Sequence, residues 1–186
     1  MGFVSRHAQI SRAAVLGAGL AIADEKGLSA VTMQAVAGRL AVTPMALYRH
    51  VTNKTDLLDG LVELLLTEFP LPAADLPWQE RLTRLADSIR ASANGHPGVF
   101  PLLLQRPANT AAALRVRDAV HLALTDAGLD SEHVPRAERL LSTAVLGFAA
   151  SEAAGRFAHH ERAVLDADFT CLLQSLRLLV EAGADR

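Results

Sequence analysis

A single cysteine, Cys171, stands among the 186 residues, so no intrachain disulfide can form and the chain suits a reducing compartment, the cytoplasm. Aromatic side chains are nearly as scarce, with six Phe, one Trp and one Tyr. Against a hydrophobic content of 51%, that scarcity argues against a β-sandwich and predicts an all-α protein of Ala- and Leu-rich helices. No uninterrupted apolar stretch is long enough to span a membrane. Repeats and low-complexity tracts are missing. So are a Gly-rich phosphate loop, a nucleophile elbow and cysteines at metal-ligand spacing. No catalytic residue, metal site or cofactor is expected, and the chain is long enough to bury a sizeable core without one.

The net charge of −2 gives no global basic signature, but it is unevenly spread. Residues 1–54 hold six Lys/Arg against two acids, a surplus of +4, which leaves −6 on the remainder. A basic N-terminal end joined to an acidic body suits a phosphate-facing end and a body that does not touch nucleic acid. Arg6 and Arg12, ahead of the uncharged run 13–23, imitate a secretory leader. Three features predict instead the first helix of the fold. Ser11 is a cap, Leu16, Leu20 and Ala23 share a face beside Val15, Gly19 and Ile22, and Gly27 is a C-terminal stop.

The most informative stretch runs from Val31 to Leu66. Thr32 can cap a short helix whose Ala35, Val36 and Leu40 recur at helical spacing, leaving Gln34 and Arg39 outside. Thr43 followed by Pro44 is a second start signal, because a hydroxyl can accept the orphan amides and proline at the first helical position loses nothing by lacking an N–H. A second short helix, Pro44 to His50, ends in Tyr-Arg-His with Lys54 soon after. Together the two have the sequence form of a helix-turn-helix, whose second helix enters the major groove. Leu28, Val36, Leu40, Val42, Leu47 and Val51 are its expected core. Asn53 then caps a long helix reaching about Phe69, whose Leu57, Leu58, Leu61, Leu64 and Leu65 cover more than one face, as expected of a connecting rod packed on both sides.

The run Leu47-Tyr48-Arg49-His50-Val51-x-Asn53-Lys54-x-x-Leu57-Leu58, preceded by Thr32-Met33 and Ala37-x-x-Leu40, closely resembles the DNA-binding region of the tetracycline-repressor (TetR) family. The resemblance covers residues 11–66; beyond them it lies in being all-helical, with a family-type segment at His96-Pro97. It implies a homodimer on double-stranded operator DNA. One position departs from the family pattern: the turn residue often filled by Gly is Ala41, and a left-handed backbone there implies strain of about 1 kcal/mol.

Phosphate contacts are expected from Tyr48, His50 and Lys54, with Thr32 and Thr43 presenting hydroxyls and nearby amides. For Tyr48 the alternative is a half-buried structural aromatic, and the resemblance favours the phosphate; for His50 and Lys54 the alternative is solvated charge, and their place straight after the reader helix favours contact. Base reading falls to Gln34, Pro44, Met45, Ala46 and Arg49. Gln34 has the amide for adenine and Arg49 the guanidinium for guanine, whereas the other three offer apolar contact such as to a thymine methyl.

Pro70, Pro72 and Pro77 divide the chain into an expected DNA-binding domain, 1–69, and an effector-binding and dimerisation domain, 76–186. In the latter, helices are predicted over Trp78 to Ala93, Asn109 (after Pro107) to Ala127, Val134 to about Arg156 and Phe169 to Ala182, with a short apolar segment, Val99 to Leu104. On the first, Leu82, Leu85, Ala86 and Ile89 face inward and Arg81, Arg84, Asp87 and Arg90 mostly outward. Glu152 and Arg156 are spaced for a local ion pair. The last helix carries a stripe of Phe169, Leu172, Leu173, Leu176, Leu179 and Val180, and its predecessor a line of small residues, Thr143, Gly147, Ser151 and Ala154. These either close the monomer core or, as a protein with two readers requires, pair across a two-fold axis.

An effector pocket is expected among Leu85, Ile89, Phe100, Leu103, Leu104, Val120, His121, Thr125 and Phe148, which give apolar walls with few polar groups near the inner end of the rod. His121 reads either as an interior histidine or as the group that orients a ligand. His96 reads as a helix terminator or, as in some relatives, an effector contact. His159-His160-Glu161 lacks a second ligand at helical spacing and reads as a solvated helix end. The function expected is that of a repressor released from its operator by a small apolar or amphipathic effector. A same-fold regulator answering to a protein partner or to no ligand, and a small helical enzyme with a coincidental helix-turn-helix, are the other readings.

Overall fold

Ser11 accepts the Ala14 N–H at 3.1 Å and opens α1 (Arg12–Lys26); Thr32 accepts the Ala35 N–H at 3.0 Å and opens α2 (Met33–Arg39). Asn53 does the same for α4 (Lys54–Glu68), accepting the Asp56 N–H at 2.9 Å. The computed structural model describes residues 10–106 and 110–184, so Arg6 lies outside the described residues. Among those described are nine α-helices and no strand. Between α2 and α4, α3 (Pro44–Leu47) is shorter than the sequence implies, because residues 48–50 continue as turn. The Thr43 hydroxyl makes no capping bond; the Thr43 carbonyl takes the Ala46 N–H instead, at 3.0 Å.

Val15, Ile22, Val36, Leu47, Val51 and Leu57 are buried in one core, with Leu28, Leu40 and Val42 half-buried at its edge. Gly60 sets how closely α4 crosses α1: a Cβ there would stand 2.5 Å from Leu16 Cδ2. The rod then packs against α7 (Ala111–Asp126) and the short α6 (Leu102–Gln105). Thr110 caps α7 by accepting the Ala113 N–H at 3.2 Å; the start expected at Asn109, and Pro107, lie outside the described residues.

α5 (Trp78–Gly95), α7 and α8 (Val134–Ala153) pack on one another, and α9 (Arg162–Ala184) closes the bundle. α9 starts well before Phe169, where its apolar stripe begins. Ala163 and Ala167 favour helix, Leu165 is buried, and Arg162 pairs with Asp166 at 3.2 Å, so the first turns hold without the stripe.

Two assignments of faces are corrected. On α5, Arg81 and Arg90 are buried, because distant carboxylates meet them: Arg81 pairs with Asp126, and Arg90 with Glu152 at 2.6 and 2.8 Å. On α9, Phe169, Leu176 and Val180 are buried and Leu172 and Leu173 half-buried against α5 and α8, so most of the stripe closes the monomer core. Leu178 and Leu179, each 65% exposed, point elsewhere together with the exposed Cys171.

Candidate functional site

With Val36 and Ala37 buried on α2 and Leu47 buried on α3, the other sides of these helices are left to solvent. Thr32, Gln34, Thr43, Pro44, Arg49 and Lys54 are exposed there; Ala46 and His50 are half-buried. Met45 is 75% exposed and Tyr48 48%. The turn before α3 contains Ala41 at φ 55, the single non-glycine residue with positive φ among those described.

Arg39 forms a bidentate pair with Glu25 at 2.7 and 2.8 Å, and that hydrogen bond lowers the Glu25 carboxyl below its ordinary range. Arg12 donates to the His50 carbonyl and to Asp56, both at 2.7 Å. Arg49 and Lys54 have no ion-pair partner among the described residues, which leaves them available to phosphate or base.

The reader is tied to the rod at Asp56. Its Oδ1 accepts from Arg12 of α1, and its Oδ2 accepts the Thr52 N–H at 2.7 Å. Chiefly through the Arg12 bond, the carboxyl is held down at about 2. Asp56 thus links α1, the end of the reader segment and the start of α4.

The other end of α4 is tied to the bundle. Asp59 pairs with Arg106, and Glu63 Oε1 accepts the Ala112 N–H at 3.2 Å, at the start of α7. Arg115 of α7 donates to the carbonyls of Leu66, Thr67 and Phe69, where α4 ends. A separate contact joins α1 to the end of α5: His96 Nδ1 lies 2.9 Å from Asp24 Oδ2, and a Cβ on Gly98 would stand 2.6 Å from the Ala23 carbonyl oxygen. His96 also ends α5, its N–H donating to the Ser92 carbonyl.

Between α4, α5, α7, α8 and α9 lies a cavity of about 690 Å³. Of the residues expected around a pocket, Leu85, Ile89, Leu103 and Val120 line it. Phe100, Leu104, His121, Thr125 and Phe148 are not among its lining residues. Phe100 is fully buried, packed with Ala93 and Ala149, and Leu104 is 51% exposed. The Thr125 hydroxyl donates to the His121 carbonyl; His121 Nε2 is buried with no partner among the described residues. Phe148 meets Phe157 and Phe169 in tilted ring contacts, with centroids 5.7 and 5.3 Å away. The sequence did not single out Val62 and Leu66 of α4, Phe69 just beyond its end, or Trp78, as walls. Only the breadth of the apolar surface on α4, more than one core needs, carried that signal.

Glu152 does not pair with Arg156 as its spacing predicts. Arg90 and Arg162 take it, the latter at 3.2 Å, while Arg156 lies over the Phe157 ring at 6.0 Å. Arg90 also pairs with Asp166 at 2.8 Å and lies 4.8 Å from the Phe169 ring centroid, joining α5, α8 and α9 beside the cavity. His159 and His160 are exposed in the turn after α8.

Two family models match this chain. One is described as bacterial regulatory proteins, tetR family, over residues 15–61, the other as tetracyclin repressor-like, C-terminal domain, over residues 69–179. The class A tetracycline repressor protein from transposon 1721 of Escherichia coli is 31% identical over 184 residues, 92% of this chain and 82% of that protein. A single-residue variant of TetR from Acinetobacter baumannii, solved in complex with minocycline, is similar at a TM-score of 0.82 and 27% identity, covering 94% of this chain and 98% of that one. BioQ with its double-stranded DNA operator is similar at a TM-score of 0.75 and 26% identity, covering 91% and 99%. The chain spans 58% and 61% of the length of curated relatives in Streptomyces coeruleorubidus and Saccharopolyspora erythraea.

Proposed function

Because this chain belongs to the tetracycline-repressor family of bacterial transcriptional regulators, we propose that it represses by binding operator DNA as a homodimer through α2 and α3, and that a small apolar or amphipathic effector in the cavity releases it. Residues 1–69 are the reader and 76–186 the sensor and dimerisation unit of a cytoplasmic regulator. Gln34 and Arg49 bond base edges; Pro44, Met45 and Ala46 supply apolar contact; Thr32, Thr43, Tyr48, His50 and Lys54 hold phosphates. BioQ on its operator and the minocycline-bound TetR variant support the two halves of this reading. The effector lies against Leu85, Ile89, Leu103 and Val120, with Val62, Leu66 and Phe69 as the wall that moves.

One observation carries the proposal: α4 and its C-cap Phe69 line the cavity with those three side chains, and α4, through Asp56, holds the reader. A molecule that pushes on the wall tilts the rod, and the tilt changes the separation of two readers that an operator needs about 34 to 36 Å apart. The dimer forms on the outer surfaces of α8 and α9, around Thr143, Gly147, Leu178 and Leu179. A ligand shifts the equilibrium only by its differential affinity for the two forms, so a roughly 100-fold release requires about 2.7 kcal/mol of coupling.

The test is selection of bound sequences from random DNA, followed by binding to the protein's own upstream region in the presence of compounds found to enter the cavity. A two-fold-symmetric site whose affinity falls when a compound binds is the expected outcome. Absence of salt-dependent binding to any duplex would refute the DNA-binding half, and turnover of a compound by a protein that binds no DNA would make it an enzyme.

A further inference from the structure

Arg90 of α5 is held by both of the last two helices. Its Nε and Nη2 donate to the two carboxylate oxygens of Glu152 on α8, at 2.6 and 2.8 Å, and its Nη1 pairs with Asp166 of α9 at 2.8 Å. All three nitrogens of one planar fork are taken, two by one helix and one by the next. Arg162, which opens α9, pairs with Glu152 and Asp166 at 3.2 Å each and closes a group of two cations and two carboxylates. The Arg90 side chain is 11% exposed and that of Glu152 5%, so this group is shielded from solvent. Elsewhere α9 is held by apolar contact: Phe169 and Leu176 pack with Ala86 and Val145, and Val180 with Leu124 and Leu129. Contacts of that kind have no direction. Phe169, Leu173 and Leu176 also border the cavity, which leaves part of the space beneath the helix unfilled. The opposite side of α9 carries Val164, Cys171 and Leu178 at seven-residue spacing, all exposed. On the outer side of α8, Leu140 is exposed and a Cβ added to Gly147 would meet nothing within 4 Å. A slide or rotation of α9 on α8 shifts these two rows against each other.

We infer that Arg90 is a positioning residue for dimerisation: its fork fixes how α9 lies on α8, and with it the shape of the two-fold face formed by the outer sides of these helices. The inference rests on the proposed dimer face on α8 and α9. A two-fold interface presents the same patch twice, so a displaced α9 in one chain meets the same displacement in its partner. Without the fork, α9 samples several positions of which one fits the partner, and association is weakened by the fraction of chains in the others. Lysine at position 90 keeps the charge but has a single nitrogen, so it cannot grip both Glu152 oxygens and reach Asp166 in one plane.

Sedimentation over a dilution series gives the dimer dissociation constant of the full chain for the unaltered protein, Asp166→Asn, Arg90→Lys and their double variant, with Leu178→Glu as a check on the face. Asp166→Asn is the mildest change, because that side chain is 52% exposed and the Arg90–Glu152 and Glu152–Arg162 contacts stay in place. Each dimer loses the pair twice, so an effect of about threefold per copy raises the constant about tenfold. Arg90→Lys is expected to raise it at least as far although the charge is kept, and the double variant no further than Arg90→Lys. Circular dichroism across the same dilutions verifies that the separated chains are folded. Val15→Ala, in the core of the reader domain, is expected to lower stability and leave the constant unmoved, which separates positioning from a general loss of stability. If Leu178→Glu yields monomers while Asp166→Asn and Arg90→Lys dimerise like the unaltered protein, the face stands and the positioning role falls. If Arg90→Lys alone dimerises like the unaltered protein, charge suffices and the fork does not set the face. A Leu178→Glu variant that stays dimeric puts the interface elsewhere, and both readings fall.

Discussion

Nη2 of Arg115 on α7 lies 2.9 Å from the Leu66 carbonyl oxygen on α4, and it also reaches the carbonyls of Thr67 and Phe69 at 3.1 Å. The last carbonyls of a helix have no partner within it and carry the negative end of its dipole, so one guanidinium both satisfies and neutralises the end of the rod. Leu66 and Phe69 also line the cavity.

Arg115→Ala should therefore loosen the link between cavity and rod more than it harms either site. Expected are a loss of roughly 1 to 3 kcal/mol in chemical denaturation, and a release by cavity ligand that falls from about 100-fold toward 10-fold. Operator affinity without ligand and ligand affinity without operator should stay near those of the unaltered protein. Titrations of both sites check this, and an undiminished release would remove Arg115 from the coupling.

Reader substitutions should fail in two different ways. Lys54→Ala weakens binding to all duplexes and lowers the slope of log affinity against log salt by about one unit, since it removes one phosphate contact. Gln34→Ala or Arg49→Ala relaxes preference at particular base pairs, by roughly 1 to 3 kcal/mol where the contact is bidentate. Binding to a panel of single-base operator variants at several salt concentrations separates these outcomes; position-specific loss for Lys54→Ala would show that the helix is misplaced.

The two sides of α9 should separate folding from dimerisation. Leu178→Glu or Leu179→Glu places charge on a surface that is 65% exposed in one chain, so sedimentation is expected to show folded monomers with greatly reduced operator affinity. Leu176→Glu instead buries a charge in the monomer core and should unfold the bundle. Dimers that persist in both exposed-site variants would move the interface elsewhere.

Three helix starts and the two-helix pattern of the reader were legible in the sequence because their signals are local, whereas the cap expected at Thr43 and the start expected at Phe169 were not found there. Ser11, Thr32 and Asn53 cap the helices they precede, and Ala41 adopts the left-handed turn expected where glycine is common. What the sequence hid is set by distant partners. Arg81 and Arg90 look like surface charges from helical spacing, but their carboxylates come from 45 and 62 residues away. Glu152 has a well-spaced neighbour in Arg156 and pairs across the bundle instead. The α9 stripe is a real apolar face, yet periodicity does not say whether a face meets its own chain or another. For the cavity, α5 and α7 yielded Leu85, Ile89 and Val120, whereas the walls from α4 were obscured by the other work of the same leucine-rich helix.

Acid should weaken the tie between reader and rod. The Asp56 carboxyl is held at about 2 against an ordinary 3.8, so the unfolded chain takes up the proton first as pH falls. Its contribution to stability is complete above the ordinary value and is lost as pH falls from about 4 to about 2; it is at most about 2 kcal/mol, reduced because Arg12 is partly exposed. Asp56→Asn should flatten the stability profile across that window, as measured by denaturation at a series of pH values. A profile identical to that of the unaltered protein would show that the Arg12–Asp56 pair contributes nothing.

The claim that cavity and reader are two sites coupled through α4 is tested most directly by measuring four affinities on one dimer: operator with and without a bound cavity ligand, and that ligand with and without operator. Linkage requires the two ratios to be the same number. Each site is expected to weaken the other by the same factor, about 100 for a coupling of about 2.7 kcal/mol. A ligand that occupies the cavity with the same affinity whether or not operator is bound would contradict it.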